Sequence, residues 1–211
     1  MKRVLVVAPH PDDESLGCGG AVLRHVAADD LVDVVFVTSG ELGLPSLPAE
    51  EAQQVREREG RAAADVLGVR ETEFLRLPDW YVGDHVDQLV EMLAAAVARG
   101  RPDVIYAPHP HDAHPDHAAT SLACRRLAGQ PGAAAVQLRG YEIWTPMGEP
   151  DEILDISSLM SQKLAAVSCH ASQLSFYQYD VAIEGLNRYR GRLGARVDHA
   201  EAFTTMSPVH D

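Results

Sequence analysis

Over the first 130 residues, short β-branched runs alternate with longer stretches of helical periodicity, and few folds accommodate that alternation. VLVVA (4–8), VDVVFVT (32–38), FLRL (74–77) and DVIYA (103–107) are apolar almost throughout, as strands buried on both faces must be. Between them lie GGAVLRHVAAD, the Glu- and Arg-rich EEAQQVREREGRAAADVLG, and HVDQLVEMLAAAVARG. Each spaces its apolar residues as a helix does, and the last two finish on Gly, a common helix stop. Such alternation predicts an α/β fold with a mostly parallel sheet covered on both faces. Beyond Gly129 the pattern changes. QPGAAA reads as a turn, VQLRGYEIWTP and EILDI as strands, the segments near 157–170 and 178–191 as helices, and AEAFTTM as one more strand. With no linker, repeat or low-complexity tract, residues 1–211 are expected to form one domain, 1–130 its core and 131–211 an extension.

The charge balance narrows the partners. With 18 Lys and Arg against 31 Asp and Glu, the formal net charge is -13, and no basic stripe offers a footprint for nucleic acid. Cys18, Cys124 and Cys169 are an odd set without CxxC spacing, which suits a reducing compartment and gives no thiolate zinc site. No apolar run approaches the roughly 20 residues of a membrane span, and MKRVLVVA is too short for a signal peptide. A cytoplasmic protein is the expectation.

Charge concentrates at two strand exits. His10, Pro11, Asp12, Asp13 and Glu14 follow the first strand, and PHPHDAHPDHAAT (108–120) follows the fourth. If the strand order is 3-2-1-4, these clusters meet over one crevice, where open α/β sheets bind ligands. His114 and His117 lie three apart, with Pro115 suited to a first helical position. His10, one carboxylate of the 12–13 pair and His117 supply two nitrogens and one oxygen, the donor set of a catalytic zinc with an open position. The other carboxylate is then free as general base, and His114 as an acid or a stabiliser of developing charge. Taken singly, each cluster has a plainer reading, a helix cap or a solvated turn; their joint placement favours the metal. His109 and His111 are expected to be exposed or structural. GCGG (17–20) is not GxGxxG, and acidic residues stand where phosphates would bind, so a dinucleotide loop is set aside. Cys18 is expected to be a small packed residue.

At these residues the sequence resembles the LmbE-like, or PIG-L, family of zinc-dependent de-N-acetylases. HPDDESLGCGG (10–20) is similar to the family's opening signature and HPDH (114–117) to its second. TSGELG (38–43), REREGRAAADVLGV (56–69), LPD (77–79), YEIWTP (141–146), LDISSLMSQKLAAVSCHASQ (154–173) and AEAF (200–203) resemble further blocks in order. The chain departs from the pattern in being short and in carrying Trp80 after LPD, where Gly is common. The resemblance implies a Rossmann-like three-layer sandwich and hydrolysis of an acetamide on an amino sugar or related amide. It implies His10, Asp13 and His117 as metal ligands and Asp12 as general base. It further implies His114 as a helper at the tetrahedral intermediate, oriented by Asp116, and Arg56 and Glu41 as sugar contacts.

The expected cofactor is Zn²⁺, a donor set of this kind also accepting Fe²⁺ or Co²⁺. The expected partner is a small N-acetylated amino sugar or glycoconjugate: a thiol precursor, an antibiotic, a glycopeptide, a chito-oligosaccharide or an amide-linked thiol conjugate. Loops 42–50, 78–85 and 145–152 are expected to shape the pocket. A homo-oligomer is compatible with the apolar helices, and relatives often form trimers or hexamers. The competing readings are a metal-dependent phosphoesterase, which would more often need two metals and more carboxylates, and a metal-binding relative without turnover.

Overall fold

The computed structural model describes residues 1–130 and 136–209, so most of the QPGAAA turn lies outside the described residues. The first four apolar runs become β1 (Arg3–Ala8), β2 (Leu31–Phe36), β3 (Glu71–Phe74) and β4 (Val104–Pro108). They pair in parallel in the order β3-β2-β1-β4, as the crevice argument required. β5 (Gln137–Tyr141) adds in parallel beside β4. β6 (Glu152–Asp155) and β7 (Ala200–Thr205) complete the sheet, β7 lying antiparallel between β5 and β6.

The crossovers are α1 (Asp13–Ala27), α2 (Ala49–Leu67), α3 (Val86–Gly100) and α4 (Pro115–Gly129), followed by α5 (Met160–Val167), α6 (Ala171–Leu174) and α7 (Tyr179–Tyr189). Side chains on each strand alternate between two cores. Val4, Val6 and Ala8 join Val34, Phe36 and Tyr106 beneath α1, α2 and α5, while Leu5, Val7, Val35 and Ile105 face Leu89, Leu93 and Ala123 of α3 and α4. Each buried Val or Leu contributes about 1.5–3 kcal/mol, so both faces hold the sheet.

Two boundaries differ from the sequence reading. The third strand is Glu71–Phe74 rather than 74–77. Leu75 and Leu77 still donate to Phe36 and Val37, but Arg76 turns left-handed (φ 57) between them, and its guanidinium grips Glu57. The 136–146 run stops pairing at Tyr141 because Glu142 turns away to Arg190 and the Met147 amide.

The glycines after HPDDE serve packing. A Cβ on Gly17 would lie 2.2 Å from the Tyr141 ring, and one on Gly20 would lie 2.5 Å from Ile156. Beside them Lys163, fully buried, donates to Glu201 at 2.7 Å, and Glu201 takes the Gly20 and Ala21 amides. This buried pair clamps α1 and α5 to β7.

Candidate active site

β1 and β4 end side by side, and their exits deliver both charged clusters to one cleft. Asp12 stands at the N-terminal boundary of α1 with φ 142 and ψ -28, and its side chain makes no capping bond. A non-glycine residue there costs on the order of 1–3 kcal/mol and persists only where its surroundings enforce it. Those surroundings are Glu14, which takes the Asp12 amide at 3.0 Å, and Arg56, whose Nη2 reaches the Pro11 carbonyl at 2.6 Å and Asp12 Oδ2 at 3.3 Å. His170 donates to Glu14 at 3.0 Å and completes the support. Helix capping therefore does not explain Asp12.

Asp13 Oδ2 lies 3.2 Å from both His10 Nδ1 and His117 Nε2. His117 is fully buried, yet neither of its ring nitrogens makes a well-formed hydrogen bond. Behind these groups stand more carboxylates. Asp116 Oδ2 lies 3.1 Å from His10 Nε2 and Asp79 Oδ1 at 3.2 Å, while Asp112 Oδ1 lies 3.4 Å from His117 Nδ1. His10 thus belongs to two groupings of convergent donor atoms, one with His114 and His117 and one with Asp79 and Asp116. The second is committed elsewhere: Asp116 takes the Trp80 and Val82 amides, and Asp79 takes that of Leu42. Asp13 Oδ2, which also takes the His10 amide at 2.9 Å, sits between His10 Nδ1 and His117 Nε2, and these three atoms form the donor set nearest the cleft. Ligating imidazoles usually have an outer carboxylate on the second nitrogen, and here both do. The surplus of buried negative charge and the orphaned His117 nitrogens fit a divalent cation.

The electrostatics separate the groups further. Burial, with Asp13 adding to it, raises the Asp12 carboxyl to about 6 against the opposing pull of Arg56. Burial would raise Asp13 as well, but His117 and His10 outweigh it and hold Asp13 well below the usual carboxylate range. Burial and the neighbouring His10 and His117 lower His114 to about 4.

α4 begins as the sequence suggested, with Pro115 in its first turn and His114 at its cap. His114 Nδ1 accepts the Asp116 amide at 3.3 Å, so a neutral His114 carries its proton on Nε2. Asp116 meets His114 through its backbone amide, while its carboxylate is occupied by His10 and two loop amides. Arg56 lines the cleft, buried beside Asp12. Glu41 is not among the lining residues; its Oε1 takes the Asp79 amide. His109 is buried and bonds the Thr145 carbonyl, and Cys18 is packed, both as expected.

The cleft has a volume of about 460 Å³. Loops 42–50 and 78–85 contribute Leu42, Gly43, Asp79 and Trp80, but the third wall is Ile143 and Trp144, just before the expected 145–152. Gln173, Tyr177 and Tyr179 form a wall that sequence reasoning missed. Asp79 and Asp112 were missed as well, although both lie inside stretches already singled out, LPD and HPHDAHPDH.

Comparison with known proteins bears on the fold and the family. A crystal structure of a conserved protein of Thermus thermophilus superposes with a TM-score of 0.82 at 35% identity, covering 100% of this chain and 97% of that one. The diacetylchitobiose deacetylase of Thermococcus kodakarensis is 27% identical over 82% of this chain and 70% of its own length. The 4-carboxy-2-hydroxymuconate hydratase of Pseudomonas putida superposes with a TM-score of 0.79 at 25% identity, covering 100% of this chain and 98% of that one. The family model described as PIG-L, GlcNAc-PI de-N-acetylase, matches residues 5–128, which hold both strand-exit clusters, and the chain belongs to that family.

Proposed function

We propose that this chain is a metal-dependent hydrolase that removes the acetyl group from an N-acetylated amino sugar. One observation carries the reading. A strained, buried carboxylate with a raised pKa faces a cleft, next to a separate His/His/Asp donor set that fits a divalent cation. His10, Asp13 and His117 would hold the ion, Zn²⁺ being the reading their donor types favour, with Fe²⁺ and Co²⁺ also suited. When bound, it would supply Lewis-acid polarisation and a water of lowered pKa.

The chain's own groups supply the rest. Asp12 takes a proton from the attacking water, a role that suits a carboxyl raised towards neutrality. Its strained backbone keeps it off the helix end and aimed at the cleft. Neutral His114 donates from Nε2 to the oxyanion of the tetrahedral intermediate, because its Nδ1 is occupied by the Asp116 amide. The proton held on Asp12 then passes to the nitrogen as the carbon–nitrogen bond breaks, giving acetate and a free amine. Arg56 secures Asp12 and lines the cleft, its buried Nε and Nη1 lying against Gly40 and Gly43 without a hydrogen-bond partner among the described residues. The coordinates support Glu41 as a brace for the Asp79 loop rather than as a sugar contact.

A second reading is addition of water to a carbon–carbon double bond, favoured by the likeness to the hydratase. The cleft is poorly provided for a substrate with several carboxylates, since Arg56, already engaged with Asp12, is its sole Lys or Arg. Acetate release from N-acetylglucosamine and N,N′-diacetylchitobiose, with metal-stripped and Zn²⁺-loaded protein, tests the proposal. Metal-dependent acetate release supports it. Silence, with hydration of an unsaturated acid, would replace it by the second reading.

A further inference from the structure

The rim of the cleft is aromatic, and two of its rings are placed with unusual care. Trp80 is 55% exposed although its backbone is left-handed (φ 73), a conformation in which glycine is at ease and a bulky residue is strained. Nothing in the fold requires a side chain there: the Trp80 amide, which any residue would supply, makes the 2.7 Å bond to Asp116. Trp144 is 48% exposed on the opposite side, and its amide donates at 3.1 Å to Asp112. Asp116 and Asp112 are the two carboxylates behind His10 and His117. Each tryptophan is thus tied through its own peptide to one half of the metal centre. His114 lies between them, 4.8 Å from Trp80 edge-to-face and 6.3 Å from Trp144 at an interplanar angle of 28°. The Trp80 and His10 rings each lie 4.8 Å from the His114 ring, so the indole borders the same imidazole that meets His10. Tyr179 packs against Trp144 at 5.9 Å and extends the wall.

We propose that Trp80 and Trp144 form a binding platform for the flat apolar face of an uncharged second ring, a sugar or an aryl group linked to the N-acetylated residue. Exposed, immobilised indoles beside a polar centre are what a ligand with one apolar face requires. The absence of charge follows from the lining, in which Arg56 is the sole Lys or Arg and is 2% exposed. A phosphate or carboxylate on the second ring would meet no free cation. The position of the reacting group rests on the deacetylase reading; the platform itself does not.

The test compares wild type with Trp80→Gly, which keeps the amide and relieves the left-handed strain. Acetate release is measured on N-acetylglucosamine, N,N′-diacetylchitobiose, an aryl N-acetylglucosaminide and N-acetylglucosamine 1-phosphate. The wild type is expected to prefer the uncharged two-ring substrates, and the variant to lose about tenfold of that preference, mostly in KM. The ranking of chitobiose against the aryl glycoside tells which ring the platform takes. Equal loss on all substrates, or a wild-type preference for the phosphate, overturns the proposal. Should wild type release no acetate, the deacetylase reading fails separately, and tryptophan fluorescence of metal-free protein titrated with chitobiose decides the platform. A shift present in wild type and lost in Trp80→Gly supports it, and no shift in wild type overturns it.

Discussion

Replacing Asp116 by Asn should weaken metal binding without touching a ligand. Asp116 Oδ2 serves His10 Nε2 at 3.1 Å and the Trp80 amide at 2.7 Å, while Oδ1 takes the Val82 amide at 3.1 Å. Three donors converge on one fully buried carboxylate. An Asn offers a single acceptor oxygen, so either its NH2 faces the Val82 N–H or it faces His10. In the first orientation two donors oppose each other. In the second, His10 must accept at Nε2 and carry its proton on Nδ1, the atom that faces Asp13. Losing one hydrogen bond to a charged group costs about 1.5–3 kcal/mol. Loss of such an outer carboxylate weakens metal affinity by roughly 10–100-fold, and at about 1.4 kcal/mol per tenfold this spans a similar energy. The assay is Zn²⁺ competition against a chelator, paired with urea unfolding of the metal-free form. Lower stability with unchanged affinity would make Asp116 merely a brace for the Trp80 loop. No change in either would refute the account of His10.

Three further outcomes follow from the same geometry. Asp12→Asn should bind metal as wild type does while kcat falls by about 10²–10⁴, and His117→Ala should fail to load metal at all; metal content and acetate release check both. The Arg56 charge lowers the Asp12 pKa from above, so Arg56→Leu should move the acid limb of the kcat/KM profile to higher pH. The sign is fixed because a base with a raised pKa is protonated, and idle, over more of the acid range; a bound cation lowers the limb in wild type and variant alike. Lys163→Met strands the buried Glu201 carboxylate and should cost about 3–5 kcal/mol in urea unfolding, with α1 loosened first in hydrogen exchange.

What the sequence disclosed and what it hid divide along a physical line. The core strands were readable because β1, β2 and β4 are largely buried on both faces and so appear as nearly continuous apolar runs, Asp33 alone interrupting β2. β3 was misplaced by three residues because an edge strand of Glu, Thr and Glu is held by backbone pairing with β2, while the apolar run that follows it packs beyond the ladder. The His and Asp residues that converge on the cleft stood out in the sequence for their density at two strand exits. Asp79 and Asp112 did not, since a carboxylate behind a ligand carries no spacing of its own. The family resemblance implied that Asp116 orients His114; its backbone amide does reach His114 Nδ1, while its carboxylate meets His10, a residue 106 positions away that no local spacing reveals. Lys163 and Glu201 show the limit most sharply, because a charge pair inside a core is visible only once the packing has closed around it.

The first strand exit also bears on why this architecture would suit a cation where its topology ordinarily invites an anion. A helix N-terminus after a parallel strand ordinarily offers backbone amides and a positive dipole end to a phosphate. Here that end is filled by the chain itself: Asp12, Asp13 and Glu14 occupy the start of α1, and Glu14 takes the Asp12 amide. The glycines that would let a dinucleotide approach are instead filled by Tyr141 and Ile156, so no ligand backbone can reach the helix there. His117 and His10 keep Asp13 ionised, burial raises Asp12, and adding Asp79, Asp112 and Asp116 gathers further negative charge around two imidazoles. Among the described residues Arg56 is the one Lys or Arg lining the cleft, and its Nη2 is engaged with Asp12 and the Pro11 carbonyl. On the proposed function, the same carboxylates that make a phosphate unwelcome suit a metal ion, and Asp12, which burial raises towards neutrality, suits the movement of a proton.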